Sequence, residues 1–296
     1  MSGELIRILG LLKEKEIRSV PVRGPVLASQ LHDRPELRQM SGLYLMVPKP
    51  DLASVEAVLN SEGYESLGVK GHFRNPDKDV RFRLYTSITS EGLVLRSNLL
   101  GFWERLDRVV FHKKTCLSLS DNDRLLFLCL VGTNRAWQRL DLVSDVARLI
   151  WRHPSLDWDR VFEEARNLNC EPMLFLGLYM AHHLRDVSLS GPVEDRIQRH
   201  KTTSKLARKA LNGIWGKTGT RQGSMHDLVF RCQVRRRLWD RLALLLTFAV
   251  RRLRWISHQA KDALLNRRDF GEYVPTPHEI VPKMLDLANV GPADVL

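Results

Sequence analysis

The amino-acid sequence predicts an α+β protein, with a mixed-sheet α/β domain over residues 1–115 and an all-α domain over residues 116–296. Three observations carry this. Before residue 115, short apolar or alternating runs bounded by Gly and Pro interleave with helical patterns, as in mixed α/β domains. After residue 118 the apolar spacing turns helical. Charge is also uneven within the net of +12: residues 1–100 carry 14 basic and 12 acidic side chains, residues 101–200 carry 14 and 14, and residues 201–296 carry 18 and 8. The basic excess therefore begins at about residue 201 and suits a polyanionic partner there: nucleic acid, an anionic membrane surface or an acidic protein.

The elements follow in order. Leu5, Ile8, Leu9 and Leu12 share one helical face over residues 3–16. Ile17 to Val22 reads as a strand closed by Gly24-Pro25, with Pro25 suited to the first turn of a helix. Leu43 to Val47, stopped by Pro48 and Pro50, is a buried strand. Asp51 is placed to cap a helix bearing Val55, Val58 and Leu59 and ending at Gly63. Val80, Phe82 and Leu84 alternate with Arg81, Arg83 and Tyr85, the pattern of a half-buried strand. Ser120 to Asp123 starts a helix, Trp137 to Ile150 supplies the stripe of the next, Leu156-Asp157-Trp158 opens a third and Glu171-Pro172 a fourth through Leu184. A glycine-bearing stretch, Gly216 to Ser224, precedes a long basic segment over residues 225–260.

Composition excludes several classes. With 44% hydrophobic and 27% charged residues, the chain is a folded protein rather than a disordered one. Cys116, Cys129, Cys170 and Cys232 are widely spaced without a Cys-x-x-Cys, so free thiols are expected rather than a zinc cage or redox pair. Residues 1–12 contain Glu4 and Arg7 and no cleavage site, unlike a signal peptide. The longest apolar run, Leu242 to Val250, is far shorter than the ~20 residues of a membrane span. A cytoplasmic protein is expected.

Two motifs fail on spacing and a third on its place in the chain. Gly213 and Gly216-Lys217 are separated by two residues where a phosphate loop needs four. His182 and His183 are adjacent, so they point about 100° apart on a helix and do not share a metal readily. Asp157 and Asp159 flank Trp158 at a helix start, where acids favour the dipole, rather than forming an acid/base pair.

Other motifs agree with one another. They are Val20-Pro21-Val22-Arg23-Gly24-Pro25, then Leu37-Arg38-Gln39-Met40-Ser41 followed by Leu43, Leu45 and Val47. Ser118-Leu119-Ser120, Trp137-Gln138-Arg139-Leu140, Asp145-Val146-Ala147, Leu156-Asp157-Trp158 and Leu176-Gly177-Leu178 continue the series. Together they resemble the bacterial uncharacterised nucleotidyltransferases, a branch of the DNA polymerase β-like nucleotidyltransferase superfamily. The likeness covers roughly residues 5–190, and weakly Pro275 to Pro282. It implies a strand–turn–helix in which a cation and backbone N–H groups receive a triphosphate, here Arg23 and Gly24. It also implies three carboxylates holding magnesium, two of them one residue apart on the strand after Arg-x-Met-Ser. Those two positions are Gly42 and Tyr44, and neither supplies a carboxylate. The third acid falls on Asp79, or in another register on Arg81. The resemblance thus implies nucleotide binding with a degenerate metal motif and no cofactor.

Arg231, Arg235, Arg236, Arg237, Arg241, Arg251, Arg252 and Arg254 lie within 24 residues beside Trp239 and Trp255. Leu238, Leu242, Leu245, Leu246, Ala249, Leu253 and Ile256 recur at helical spacing. An amphipathic helix is expected over 231–256, either packed on the core or using Arg235, Arg236, Arg251, Arg252 and Arg254 against a polyanion. The sequence therefore leaves three functions open. One is a catalytically degenerate nucleotidyltransferase-like protein binding a nucleotide, a nucleotide-linked substrate or a partner protein. The second is an active magnesium-dependent transferase with a small-molecule or peptide acceptor. The third is a nucleic-acid or anionic-membrane binding protein.

Overall fold

A computed structural model describes residues 1–38, 40–86, 99–185, 187–215, 225–235, 238–250 and 252–253. The chain divides into one unit of Met1–Thr247 and another of Phe248–Leu296. All elements given a label below belong to the first.

Helix α1 (Ser2–Glu14) buries Leu5, Ile8 and Leu12, the expected stripe. Strand β1 (Val20–Arg23) leads through Gly24 into α2 (Pro25–Leu31), with Pro25 in the first turn. Strand β2 (Leu43–Met46) is buried throughout. Asp51 stands at the start of α3 (Leu52–Ser61) but its side chain makes no capping bond, because a 3-10 turn over Lys49–Asp51 already leads into the helix. Strands β3 (Glu65–Ser66), β4 (His72–Asn75) and β5 (Val80–Tyr85) complete a five-stranded sheet of order β1-β2-β5-β4-β3. The sheet is mixed: β2 and β5 are parallel, and the other pairs are antiparallel.

The alternation of each strand assigns its two faces. Leu43, Leu45, Phe82 and Leu84 join α1 and α3 in one core. Val20, Val22, Tyr44, Met46 and Tyr85 join a second core shared with the helices that follow residue 120. The sheet is therefore covered on one side by its own helices and on the other by the helical half.

That half comprises α4 (Asp121–Asn134), α5 (Leu140–Arg152), α6 (Trp158–Asn167), α7 (Glu171–Arg185), α8 (Gly191–Gln198), α9 (Lys201–Trp215) and α10 (Met225–Val234). Ser120 caps α4 by accepting the Asp123 N–H, and Asp157 caps α6 by accepting the Arg160 N–H. Between sheet and helices, β6 (Asp107–Phe111) and β7 (Lys114–Ser118) form a separate hairpin. Trp137 departs from expectation. It precedes α5 instead of lying on its stripe, in a left-handed conformation with φ of 53°. The turn drops the ring, fully buried, against Gly132 of α4 and Gly177 of α7. A Cβ on Gly132 would overlap that ring, and one on Gly177 would overlap Cys129.

The cysteines are free, with Cys129 and Cys170 buried. No helix among the described residues is long and apolar enough to cross a membrane. The helix expected over 231–256 is interrupted: α10 ends at Val234 and helical turns resume over 238–250. The stretch 216–224 and the region around Pro275 to Pro282 lie outside the described residues.

Candidate functional site

The site is built where the second face of the sheet meets α4 and α5. Strand β1 ends at Arg23, whose partner in register on β2 is Tyr44. Parallel pairing of β2 with β5 sets Arg83 on the other side of Tyr44. Partners in register share a face, so a phenol lies between two arginines. The Arg23 guanidinium carbon is 5.0 Å from the Tyr44 ring centroid and that of Arg83 is 5.8 Å away. Tyr85 stacks behind Tyr44 at 6.3 Å. Arg135 follows the last turn of α4; burial, then the charges of Arg23 and Arg83, push its guanidinium below the ordinary arginine value.

Three cations thus crowd one phenol with little compensation. Arg23 is 6% exposed, and its buried Nε has no hydrogen-bond partner. Its ion pair with Asp141 is loose at 4.0 Å, while Arg139 holds the same carboxylate at 2.9 and 3.0 Å. Burial alone would raise the Tyr44 phenol. The charge of Arg23, the hydrogen bond with Ser41 at 2.7 Å and the charges of Arg83 and Arg135 outweigh it, so the phenol lies below its ordinary value. Burial raises Tyr85 instead.

A second group lies alongside. Asp145 of α5 is fully buried, receives Arg38 Nε at 2.9 Å and Nη2 at 2.5 Å, and meets His32 Nε2 at 3.2 Å. Burial would raise its carboxyl, but His32 and Arg38 hold it below the usual range. This clamp joins the Arg-x-Met-Ser segment to α5, 107 residues away. His32, Arg38, Asp141, Ser144, Asp145 and Arg148, with Asp33 and Arg34, line a cleft of about 390 Å³.

The positions expected to bear acids are placed as follows. Gly42 has φ of +153°, and a Cβ there would stand 2.8 Å from the Arg81 carbonyl oxygen. Backbone has closed over that position. Asp79 lies in the β4–β5 turn, is 77% exposed and pairs with Arg74 at 3.0 Å. It precedes β5 and is four residues from Arg83, away from Tyr44. Arg81 is exposed on the same strand. Glycine, a phenol and arginine offer magnesium no carboxylates, so this donor set does not fit a two-metal centre. Among the described residues, no group of three His, Cys, Asp or Glu side chains is positioned to hold a metal. Asp141 and Asp145 lie near, but each is engaged by an arginine.

The basic segment is only partly as expected. Arg235 is 4% exposed and donates to the Arg231 carbonyl at 2.8 Å. It bonds the last turn of α10 from inside the fold, and burial pulls its pKa down to about 10. Arg252 is exposed, while Arg236, Arg251 and Arg254 lie outside the described residues. His182 Nδ1 donates to the Val187 carbonyl at 2.8 Å and His183 stacks on Tyr179.

The structure brings together the motif positions Arg23 and Tyr44, and adds Arg83 and Arg135, which the sequence did not single out. Arg83 alternates with the apolar residues of β5 and reads as a solvated position. Only the register with β2 turns it toward Tyr44. Arg135 carries no local signal beyond a helix end.

The family model for uncharacterised nucleotidyltransferases matches residues 1–186 of this chain. Comparisons with curated proteins and with solved structures find no match. The chain belongs to the uncharacterised nucleotidyltransferase family.

Proposed function

We propose that this member of the uncharacterised nucleotidyltransferase family binds the phosphates of a nucleotide or nucleotide-linked substrate without performing metal-dependent transfer. One observation supports the proposal: Arg23 and Arg83 flank Tyr44, which stands at one of the two positions where the resemblance implies paired carboxylates. Nucleotidyl transfer needs the negative charge of the triphosphate and of the attacking oxygen compensated, usually by two divalent ions. Carboxylates recruit those ions. Guanidinium groups repel them and compensate phosphate directly, with charge-assisted and often bidentate hydrogen bonds. The unpartnered Nε of Arg23 and the mutual repulsion of three arginines are relieved by an anion. The neighbouring cleft of about 390 Å³ offers room for the rest of a small ligand.

The roles then divide. Arg23 and Arg83 receive phosphate oxygens, Arg135 supplies further positive potential, and Tyr44 holds the two guanidinium groups apart while presenting its ring to both. Arg38 and Asp145 fix the segment that leads into β2. Positioning is retained and the transfer step lacks the groups that would activate an acceptor.

The test pairs turnover with binding. Each of the four nucleoside triphosphates is incubated with the protein and magnesium or manganese, and pyrophosphate is measured. The expected result is no release above the protein-free blank, with calorimetric binding of at least one triphosphate that weakens in Arg83→Gln. Pyrophosphate release that disappears on chelation would assign the protein to active transferases and overturn the proposal.

A further inference from the structure

The helical turns over 238–247 are seated the opposite way from an ordinary surface helix. Leu244 is buried, and Asp240 accepts a hydrogen bond from Asn169 at 2.7 Å. The opposite side carries Leu238, Trp239, Leu242, Leu245 and Leu246, all exposed, with Leu238 70% and Trp239 81% open. At about 100° per residue these five fall within a sector roughly 120° wide. The polar anchor faces the fold and the apolar stripe faces out. A stripe of this kind marks a surface that is covered when the protein works.

Charge decides what covers it. Residues 231–254 hold eight arginines, of which Arg235 is buried in the fold, and a single acid, Asp240, already engaged by Asn169. A second copy of the chain would bring a net charge of like sign against this segment. A duplex nucleic acid would use arginines but has no place for four leucines and a tryptophan. An anionic lipid surface uses both: leucines and tryptophan enter the boundary of headgroups and acyl chains, and arginines reach phosphates while their stems follow the apolar side. We infer that the helix over 238–247 docks the protein on anionic membrane surface, lying in the interface without crossing it. This goes beyond nucleotide binding and does not depend on it.

Co-sedimentation of the full chain with vesicles tests the inference. One set is phosphatidylcholine alone and the other contains roughly one-third phosphatidylglycerol, near the charge of an anionic leaflet. Binding is expected to the second set only, and to fall by at least about tenfold in the double variant L242E/L246E. Both side chains are exposed, so the variant should keep the parent's circular dichroism and melting temperature. A second variant, Trp239→Ala, should weaken vesicle binding without adding negative charge. Failure to bind anionic vesicles overturns the inference, as does undiminished binding by both variants. Retention of duplex DNA in place of vesicles overturns it in favour of nucleic acid. A dimer in light scattering that L242E/L246E dissociates, with no vesicle binding, overturns it in favour of self-association.

Discussion

The side chains of Arg38 and Arg23 are both more than nine-tenths buried, lie in neighbouring motifs and approach the same helix, α5. Arg38 meets a carboxylate with two short bonds, and Arg23 leaves its Nε unpartnered and its ion pair with Asp141 at 4.0 Å. The difference separates structure from ligand. A buried charge is costly unless paired. Arg38–Asp145 is complete within the fold and its loss should appear in stability. The Arg23–Arg83–Arg135 group is incomplete and its loss should appear in binding.

The largest effect is expected at Asp145. Asp145→Asn leaves the Arg38 charge buried without its partner and should cost about 3–5 kcal/mol of stability, read by urea denaturation at neutral pH. The same carboxyl sets an acid limb. Because its folded pKa lies below the unfolded value of about 3.9, its contribution is fully present above that value. It is lost as pH falls through the folded pKa. The wild type should therefore lose stability more steeply than Asp145→Asn below about pH 4. Equal acid limbs would make the clamp incidental.

Arg23→Ala reverses the pattern. Triphosphate affinity should fall by about 1.5–3 kcal/mol, typical of a charged hydrogen bond, with a smaller change in stability than Asp145→Asn. Should Arg23→Ala destabilise as much as Asp145→Asn and leave affinity unchanged, the two arginines would be of one kind and the distinction would collapse.

Gly42→Ala is expected to cost about 1–3 kcal/mol from strained backbone, since its Cβ would meet the Arg81 carbonyl. Restoring acids at positions 42 and 44 should accordingly fail to restore metal binding in this backbone. If Gly42→Ala melts with the wild type, the backbone has room for an acid and the closure of this position is overturned.

Much of this was legible in the amino-acid order. The limits of β5 and the starts of α4 and α6 follow from alternation and caps, which are local effects. The β6–β7 hairpin has no signal in the sequence because half of its residues are exposed and they show no apolar alternation. Trp137 misled because its spacing matched the stripe of α5, whereas a left-handed turn and two glycines decide its place. In the site, Arg23 and the absent acids were visible as motif positions. Arg83, Arg135 and the Arg38–Asp145 pair were not, since strand register and contacts across 107 residues are tertiary facts. The basic helix was visible as a pattern, but not which side it would turn outward, because that depends on Leu244 and Asn169.

The smallest effect is spectroscopic. Absorbance titration of the tyrosinates should show one phenol ionising below its ordinary value of about 10 and lost in Tyr44→Phe, with Tyr64 and Tyr85 ionising later. Bound phosphate anion, by offsetting the arginines, should move that early phenol upward. An unmoved phenol would place the anion elsewhere.

Metal independence is the most direct test, since arginines are held to do what magnesium does in an active transferase. Calorimetric titration of the same triphosphate is run in excess EDTA and then in excess magnesium. Binding should be present in EDTA and no tighter in magnesium. Binding that appears only when magnesium is added would contradict the account.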